Sequence, residues 1–155
     1  MAKILLIEDD ECFRVVMRRV FEQRGFEVIE AESATTGIRL ASAIMPDLIV
    51  SDVQMENGDG YAILIALRQS KETEAIPVIL MTGQASLAGM RRCMDQGADD
   101  YLQKPFSFDA MLAAVHARLK KRDALERQIR SRLAQQGSLP EPMIEHLSHP
   151  ITRRN

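Results

Sequence analysis

Cysteine is nearly absent from this chain: its 155 residues include only Cys12 and Cys93. Two cysteines cannot build a disulfide framework, and neither belongs to a CxxC pair. Both fall in helix-like stretches, which predicts reduced, packed thiols in a cytosolic protein. Long apolar runs are missing too. Stretches such as Ile4–Ile7 stay far below the roughly 20 residues that span a bilayer. Nothing after Met1 reads as a secretory leader, because Lys3 precedes four apolar residues and then acids, so none is expected. The expectation is a soluble cytoplasmic protein with no membrane partner. Its length suits one core and is too short for two full domains.

Histidine is equally scarce. His116 lies beside Val115 and reads as a surface or boundary residue, while His146 and His149 lie in a polar tail. Pro150 directly after His149 opposes a continuing helix, so none of the three is expected to act as a phosphorelay histidine. The nine methionines are spread through apolar positions and read as core filler.

Strong net charge is lacking as well, since 20 basic and 22 acidic side chains leave −2. That total hides an asymmetry. Residues 1–117 hold 11 basic and 18 acidic side chains, whereas residues 118–155 hold 9 basic and 4 acidic. The body is acidic and the tail basic.

Five short apolar runs punctuate the body: Lys3–Ile7, Glu27–Ala31, Asp47–Ser51, Pro77–Met81 and Tyr101–Gln103. Leu48-Ile49-Val50 and Val78-Ile79-Leu80 are apolar on consecutive residues, which means burial on both faces, as in a parallel sheet covered by helices. Helix-like stretches separate them, at 11–24, 34–45, 60–70, 86–96 and from Ser107 to about Gln135. Ser33, Asp59 and Ser107 are candidate N-caps; Gly25, Gly97 and Gly137 are candidate stops. Strand–helix alternation with right-handed crossovers predicts a (βα)5, doubly wound, parallel five-stranded sheet in a three-layer α/β sandwich. Such a sheet places its site outside the carboxyl ends of its strands.

Reactive side chains cluster there. Glu8, Asp9 and Asp10 follow the first strand, Asp52 the third, Thr82 the fourth and Lys104-Pro105 the fifth. By itself Glu8-Asp9-Asp10 fits N-terminal charges favourable to a helix dipole. Together with Asp52, however, the carboxylates need a cation in order to coexist ionised. An oxygen-only ligand set suits Mg²⁺ or a similar hard divalent ion. A carboxylate nucleophile, a metal, a hydroxyl and a lysine together point to phosphoryl transfer onto Asp52.

The residues that carry this pattern are Ile4-Leu5-Leu6-Ile7-Glu8-Asp9-Asp10, Pro46-Asp47-Leu48-Ile49-Val50-Ser51-Asp52, Met55 with Asp59-Gly60, Pro77-Val78-Ile79-Leu80-Met81-Thr82-Gly83, and Gly97-Ala98-Asp99-Asp100-Tyr101-Leu102-Gln103-Lys104-Pro105-Phe106. In this order the chain resembles the receiver domain of two-component response regulators over about residues 2–120. The resemblance implies a flavodoxin- or CheY-like fold with Asp52 as phosphoacceptor. Glu8, Asp9, Asp52 and the backbone carbonyl of Gln54 would hold Mg²⁺ (or Mn²⁺), Glu8 largely through water. Lys104 would bind a phosphoryl oxygen, with a cis bond to Pro105. Thr82 would move onto the phosphoryl group, and Tyr101 would swing into the space it vacates, reshaping the face of the fourth helix, fifth strand and fifth helix. The small Gly83 fits partner access. Gln54 and Gln84 stand at positions that tune how long the phosphate survives. One departure stands out: Glu56 occupies a place where the family commonly has proline, so altered metal affinity or loop mobility is expected.

The fifth helix runs on beyond its sheet. Leu125, Ile129 and Leu133 follow one another at i, i+4, i+8, amid Lys120, Lys121, Arg122, Arg127, Arg130 and Arg132. Such an extension can dimerise, dock on a partner or contact an acidic surface. Residues 135–142 then read as a linker. Only 34 residues follow Lys121, too few for a winged-helix or cyclase output domain, and any DNA contact of the tail would be electrostatic rather than specific. We therefore expect a receiver at 1–121 and an interaction tail at 122–155. The receiver would take a phosphoryl group on Asp52 from a histidine kinase or phosphotransfer protein, signal to a downstream protein and have no enzymatic role beyond its own phosphorylation cycle. Homodimers would form through the switching face or the long helix. The rivals are a Mg²⁺-dependent phosphatase with an aspartyl-phosphate intermediate and a scaffold with a vestigial site.

Overall fold

The structure, a computed structural model, describes residues 1–56, 58–84 and 86–137. Its main strands are β1 (Lys3–Ile7), β2 (Glu27–Ala31), β3 (Leu48–Asp52), β6 (Val78–Thr82) and β7 (Asp100–Gln103), all parallel in the order β2-β1-β3-β6-β7. The short strands β4 (Gln54–Met55) and β5 (Gly58–Asp59) pair antiparallel in a ribbon that the apolar pattern did not foretell. Gln54, Gly58 and Asp59 are polar or small, and Met55 alone sets no period. The helices are α1 (Glu11–Gln23), α2 (Ala34–Ile44), α3 (Gly60–Gln69), α4 (Leu87–Asp95) and α5 (Phe108–Gln136).

Alternation along each strand divides the core in two. Leu5, Ile7, Ile49, Val78 and Leu80 face one way and join α2, α3 and Cys93 of α4. Ile4, Leu6, Leu48, Val50, Ile79 and Met81 face the other way and meet Met17 and Phe21 of α1 and Met111, Val115 and Leu119 of α5. The three central strands are therefore buried on both faces. This is the expected three-layer sandwich.

Capping fixes where each helix begins. Asp10, Ser33, Asp59, Ser86 and Ser107 each accept the backbone N–H three residues on. For α4 the cap is Ser86 itself. At the other ends, Gly25 and Gly97 adopt φ +87 and +98, and Met45 takes the left-handed cap of α2 before Pro46.

Several expectations need correction. Cys93 is buried, but Cys12 is exposed, because it lies about 140° around α1 from Met17. The methionines do not all fill the core: Met17, Met81 and Met111 do, whereas Met45, Met90 and Met94 are exposed. Of α4 only Cys93 turns fully inward, which leaves Met90 and Met94 on its outer side. Strands β3 and β6 each end one residue later than expected, because Asp52 pairs with Met81 and Thr82 with Gln103. His116 is exposed, as expected, with its ring 5.6 Å from that of Phe26. His146, His149, Asn57 and the linker beyond Gly137 lie outside the described residues.

Helix α5 runs without a break through residue 121 and, at 29 residues, is roughly 44 Å long. Arg122 reaches back from the extension to donate to the Asp47 carbonyl at 2.7 Å. Leu125 and Ile129 are exposed. Among the described residues, no helix is long and apolar enough to cross a membrane.

Candidate functional site

The carboxyl ends of β1, β3, β6 and β7 bring the expected groups to one edge of the sheet. Glu8 directly follows β1 and is 1% exposed; Asp52 closes β3 and is 5% exposed. Asp9 is exposed between β1 and α1. The three carboxylates offer oxygens that all lie within 4.8 Å of one another. Lys104, just after β7, donates to Glu8 Oε1 at 2.8 Å and stands 3.4 Å from Asp52 Oδ1. That second approach is an ion pair only, and Asp52 Oδ1 has no hydrogen-bond partner. The peptide bond from Lys104 to Pro105 is cis.

Burial governs the electrostatics. Desolvation raises the pKa of Glu8 despite its bond from Lys104, and the nearby Asp52 charge adds to the rise. Asp52 is likewise raised by burial, against the Lys104 ammonium, with Asp9 contributing repulsion. Desolvation pulls Lys104 down, but its bond to Glu8 and the Asp52 charge outweigh it, and the net shift is upward. A lysine shared between two buried acids, with a third acid alongside, leaves negative charge uncompensated. The buried Asp52 oxygen without a hydrogen-bond partner and the all-oxygen donor set fit a hard divalent cation.

The surroundings hold these groups in place. Arg14 donates to the Glu8 carbonyl at 2.8 Å and pairs with Glu30 at 3.0 Å. Val53 N–H bonds to Met81 at 2.8 Å, and Gly60 N–H bonds back to Val53 at 2.9 Å. A Cβ on Gly60 would fall 2.6 Å from the Asp52 carbonyl oxygen, so glycine is what lets α3 start this close to the end of β3. Asp9 Oδ2 accepts the Glu56 N–H at 3.0 Å, and the Gln54 side chain accepts the Gly83 N–H at 3.3 Å. Thr82 is 2% exposed, and its hydroxyl accepts from Gln84 N–H at 3.1 Å.

An open cavity of about 660 Å³ leads away from Asp9 and Thr82 past Gln84 to Tyr61, Gly89 and Arg92. Tyr101 is half-buried and packs against the core on the α2/α3/α4 side of the sheet. A Cβ on Gly89 would lie 3.5 Å from the Tyr101 hydroxyl and 3.6 Å from that of Tyr61. Burial pushes the Tyr61 phenol up to about 12. Arg92 lies over its ring, 3.9 Å from the centroid.

Three side chains escaped the sequence reading. Phe13 presents its ring 4.4 Å from Lys104 Nζ and packs edge-on against Phe106 at 6.1 Å. Tyr61 and Arg92 shape the far end of the cavity. Only the helical phase of Phe13, in the first turn of α1, hinted at its place; nothing in the sequence paired Tyr61 with Arg92.

The family model described as "Response regulator receiver domain" matches residues 4–116. The chain belongs to the response regulator receiver family. The receiver is 34% identical, over 90% of this chain, to the DNA-binding dual master transcriptional regulator RpaA of a Synechocystis strain, covering 58% of that protein. It is 35% identical to the transcriptional regulatory protein HprR of Escherichia coli, with 99% of this chain and 64% of that protein aligned. The chain thus spans little more than half to about two thirds of the length of these relatives. Among solved structures it is similar to a response regulator receiver domain protein from Clostridium thermocellum, with a TM-score of 0.75, 28% identity, and 81% of this chain and 99% of that one covered. Vibrio cholerae CheY4 is similar too, with a TM-score of 0.72, 26% identity, and 76% and 98% covered. The receiver therefore has the CheY-like fold that its sequence pattern suggested.

Proposed function

We propose that this receiver accepts a phosphoryl group on Asp52, donated by a sensor histidine kinase or a histidine phosphotransfer protein in the cytoplasm. The carrying observation is the buried Asp52 oxygen without a hydrogen-bond partner, flanked by Glu8, Asp9 and the Lys104 ammonium. Glu8, Asp9, Asp52 and the Gln54 carbonyl would hold Mg²⁺ or Mn²⁺. A bound divalent ion supplies neutralisation of the charge on the transferring phosphoryl oxygens.

The rest belongs to the chain's own side chains. An Asp52 oxygen attacks phosphorus, the bond to the donor's imidazole nitrogen breaks, and that nitrogen keeps the electron pair. Lys104, already within 3.4 Å, turns from Glu8 towards the new phosphoryl oxygens. Thr82 exchanges its local bond with Gln84 for one to the phosphoryl group, and Tyr101 moves inward behind it. Added charge thereby biases a two-state face formed by α4, β7 and α5, which the downstream protein reads. Gln54 and Gln84 flank the site and set how fast water removes the phosphate, while the small Gly83 leaves room for a partner or phosphodonor. Phosphorylation and dephosphorylation are self-catalysed, and no other enzymatic role is proposed.

The functional division we propose is a receiver at 1–121 and an interaction tail at 122–155, with homodimerisation through the switching face or the α5 extension. The DNA-binding and transcriptional roles in the relatives' names are not carried over, since this chain spans only part of those proteins; specific DNA binding is not part of the proposal. The test is incubation with Mg²⁺ and acetyl phosphate or a phosphoramidate, followed by intact mass. Wild type gains one phosphoryl group and Asp52→Asn gains none. Labelling that survives this substitution refutes the assignment, and rapid turnover of phosphomonoesters would favour a phosphatase instead.

A further inference from the structure

Glu56 departs from the pattern the resemblance implies, and its backbone N–H reaches the site. Its N–H donates to Asp9 Oδ2 at 3.0 Å. Asp9 is the exposed member of the carboxylate trio, and Glu8 and Asp52 are buried. Glu8 is already oriented by Lys104 and by the Asp10 N–H at 3.2 Å. Asp52 is held by its place in the ladder between β3 and β6. Of the three, then, Asp9 is the carboxylate most in need of an outside anchor, because an exposed side chain loses rotamer freedom whenever it takes up a ligand.

The anchor is itself anchored. Glu56 follows the strand β4, whose Gln54 side chain accepts the Gly83 N–H at 3.3 Å. One short segment is thus tied on one side to the loop after β1 and on the other to the loop after β6. A carboxylate oxygen has two lone pairs, so accepting one N–H leaves Asp9 free to coordinate. Hydrogen bonds of this outer kind orient ligating carboxylates and set metal affinity.

We propose that the backbone N–H of Glu56 is a positioning group for the divalent-cation site, fixing the Asp9 carboxylate in the orientation that binds the ion. A proline at this position has no N–H and cannot do so. Met55 before it lies in a strand, the conformation a following proline requires, so the substitution does not strain Met55. The inference rests on the cation site described above.

The experiment is calorimetric titration of Mg²⁺ into the phosphate-free full chain, for wild type, Glu56→Gln and Glu56→Pro. Glu56→Gln keeps the N–H and removes one exposed charge, which costs about fivefold or less in affinity. Glu56→Pro removes the N–H as well and is expected to lose about 10–100-fold. Equal dissociation constants for the two variants overturn the inference while leaving the cation site standing. A wild type that takes up no Mg²⁺ overturns the underlying reading, and this inference with it. A readout free of any variant comes from amide hydrogen exchange in wild type. The Glu56 amide is expected to exchange slowly, both with and without Mg²⁺. Exchange at the rate of an unprotected amide in both states overturns the inference even where Glu56→Pro fails to fold.

Discussion

Neutralising Asp52, the proposed phosphoacceptor, should stabilise the fold when no divalent cation is supplied. Asp52 shares its site with Glu8 and Asp9, each offering an oxygen within 4.8 Å. At that distance and an effective dielectric of about 20, each like-charge pair costs about 3.5 kcal/mol. Lys104 at 3.4 Å returns about 5 kcal/mol on the same scale. Some repulsion is left over, and water screens the exposed Asp9, so Asp52→Asn should relieve about 1–2 kcal/mol. Asparagine keeps the shape, and its amide oxygen still faces the lysine. In a chain of this length that is about 3–6 °C in melting temperature.

The assay is thermal unfolding by circular dichroism in a chelator at neutral pH. With Mg²⁺ at about a hundred times its dissociation constant, wild type gains about 2.7 kcal/mol and the order reverses, because the variant has lost a ligand. The pH dependence has a definite sign. Burial raises the native pKa of Asp52 above 3.8 and that of Glu8 above 4.5. Between those ordinary values and the raised native ones, the folded state binds more protons than the unfolded state. Cation-free wild type therefore gains stability as pH falls through that window, and the gap to Asp52→Asn closes. An asparagine variant that melts at or below wild type in chelator, with a gap indifferent to pH, would refute this account of the site.

Three further outcomes follow from the same geometry. Gly60→Ala places a methyl 2.6 Å from the Asp52 carbonyl oxygen and 2.9 Å from Val53 Cα, both backbone atoms; it should cost about 1–3 kcal/mol in denaturant unfolding and slow phosphorylation of Asp52. The Arg68 guanidinium donates to the carbonyls of Gly97, Glu74 and Ile76 and pairs with Asp99 at 3.0 Å. Arg68→Lys cannot reproduce that fork and should cost about 2–4 kcal/mol, while a loss below 1 kcal/mol would show the network to be redundant. Phe13→Leu removes the ring beneath Lys104 and should slow phosphoryl transfer several-fold with little change in Mg²⁺ affinity; Phe13→Tyr should restore the rate, and a leucine variant of unchanged rate would dismiss the contact.

The layers were legible because they are written in one-dimensional patterns. Consecutive apolar residues at Leu48–Val50 and Val78–Leu80 demanded helices on both faces, and the caps at Ser33, Asp59 and Ser107 marked helix starts within a residue. Glu8, Asp9, Asp52, Thr82 and Lys104 were legible because each stands at a strand end, where topology alone makes them neighbours. What stayed hidden depends on side-chain reach across elements. The ring of Phe13 under Lys104, the stacking of Arg92 on Tyr61 and the Glu56 N–H on Asp9 join residues between 31 and 91 positions apart, with no periodic signature. Cys12 and the outer methionines misled for a related reason. Hydrophobicity says that a residue can be buried, but on α1 and α4 it is helical phase that decides which residues are.

The one-residue difference at the ends of β3 and β6 bears directly on mechanism. Asp52 and Thr82 lie within the ladder and not beyond it: Asp52 pairs with Met81, Thr82 with Gln103, and Lys104 N–H bonds back to the Thr82 carbonyl. Their backbones are therefore fixed by sheet hydrogen bonds, and only their side chains are free to act. Asp9 and Lys104 sit beyond the strands, where side-chain reach can change. The proposed reactivity is thus divided between a nucleophile on a fixed backbone and adjustable charges. This arrangement suits the rearrangement we propose as its output: transfer to a fixed point would let the response run outward through Thr82 and Tyr101, with the sheet unmoved. Were Asp52 on the loop, the incoming charge would be absorbed by its own displacement, and little would be left to shift α4.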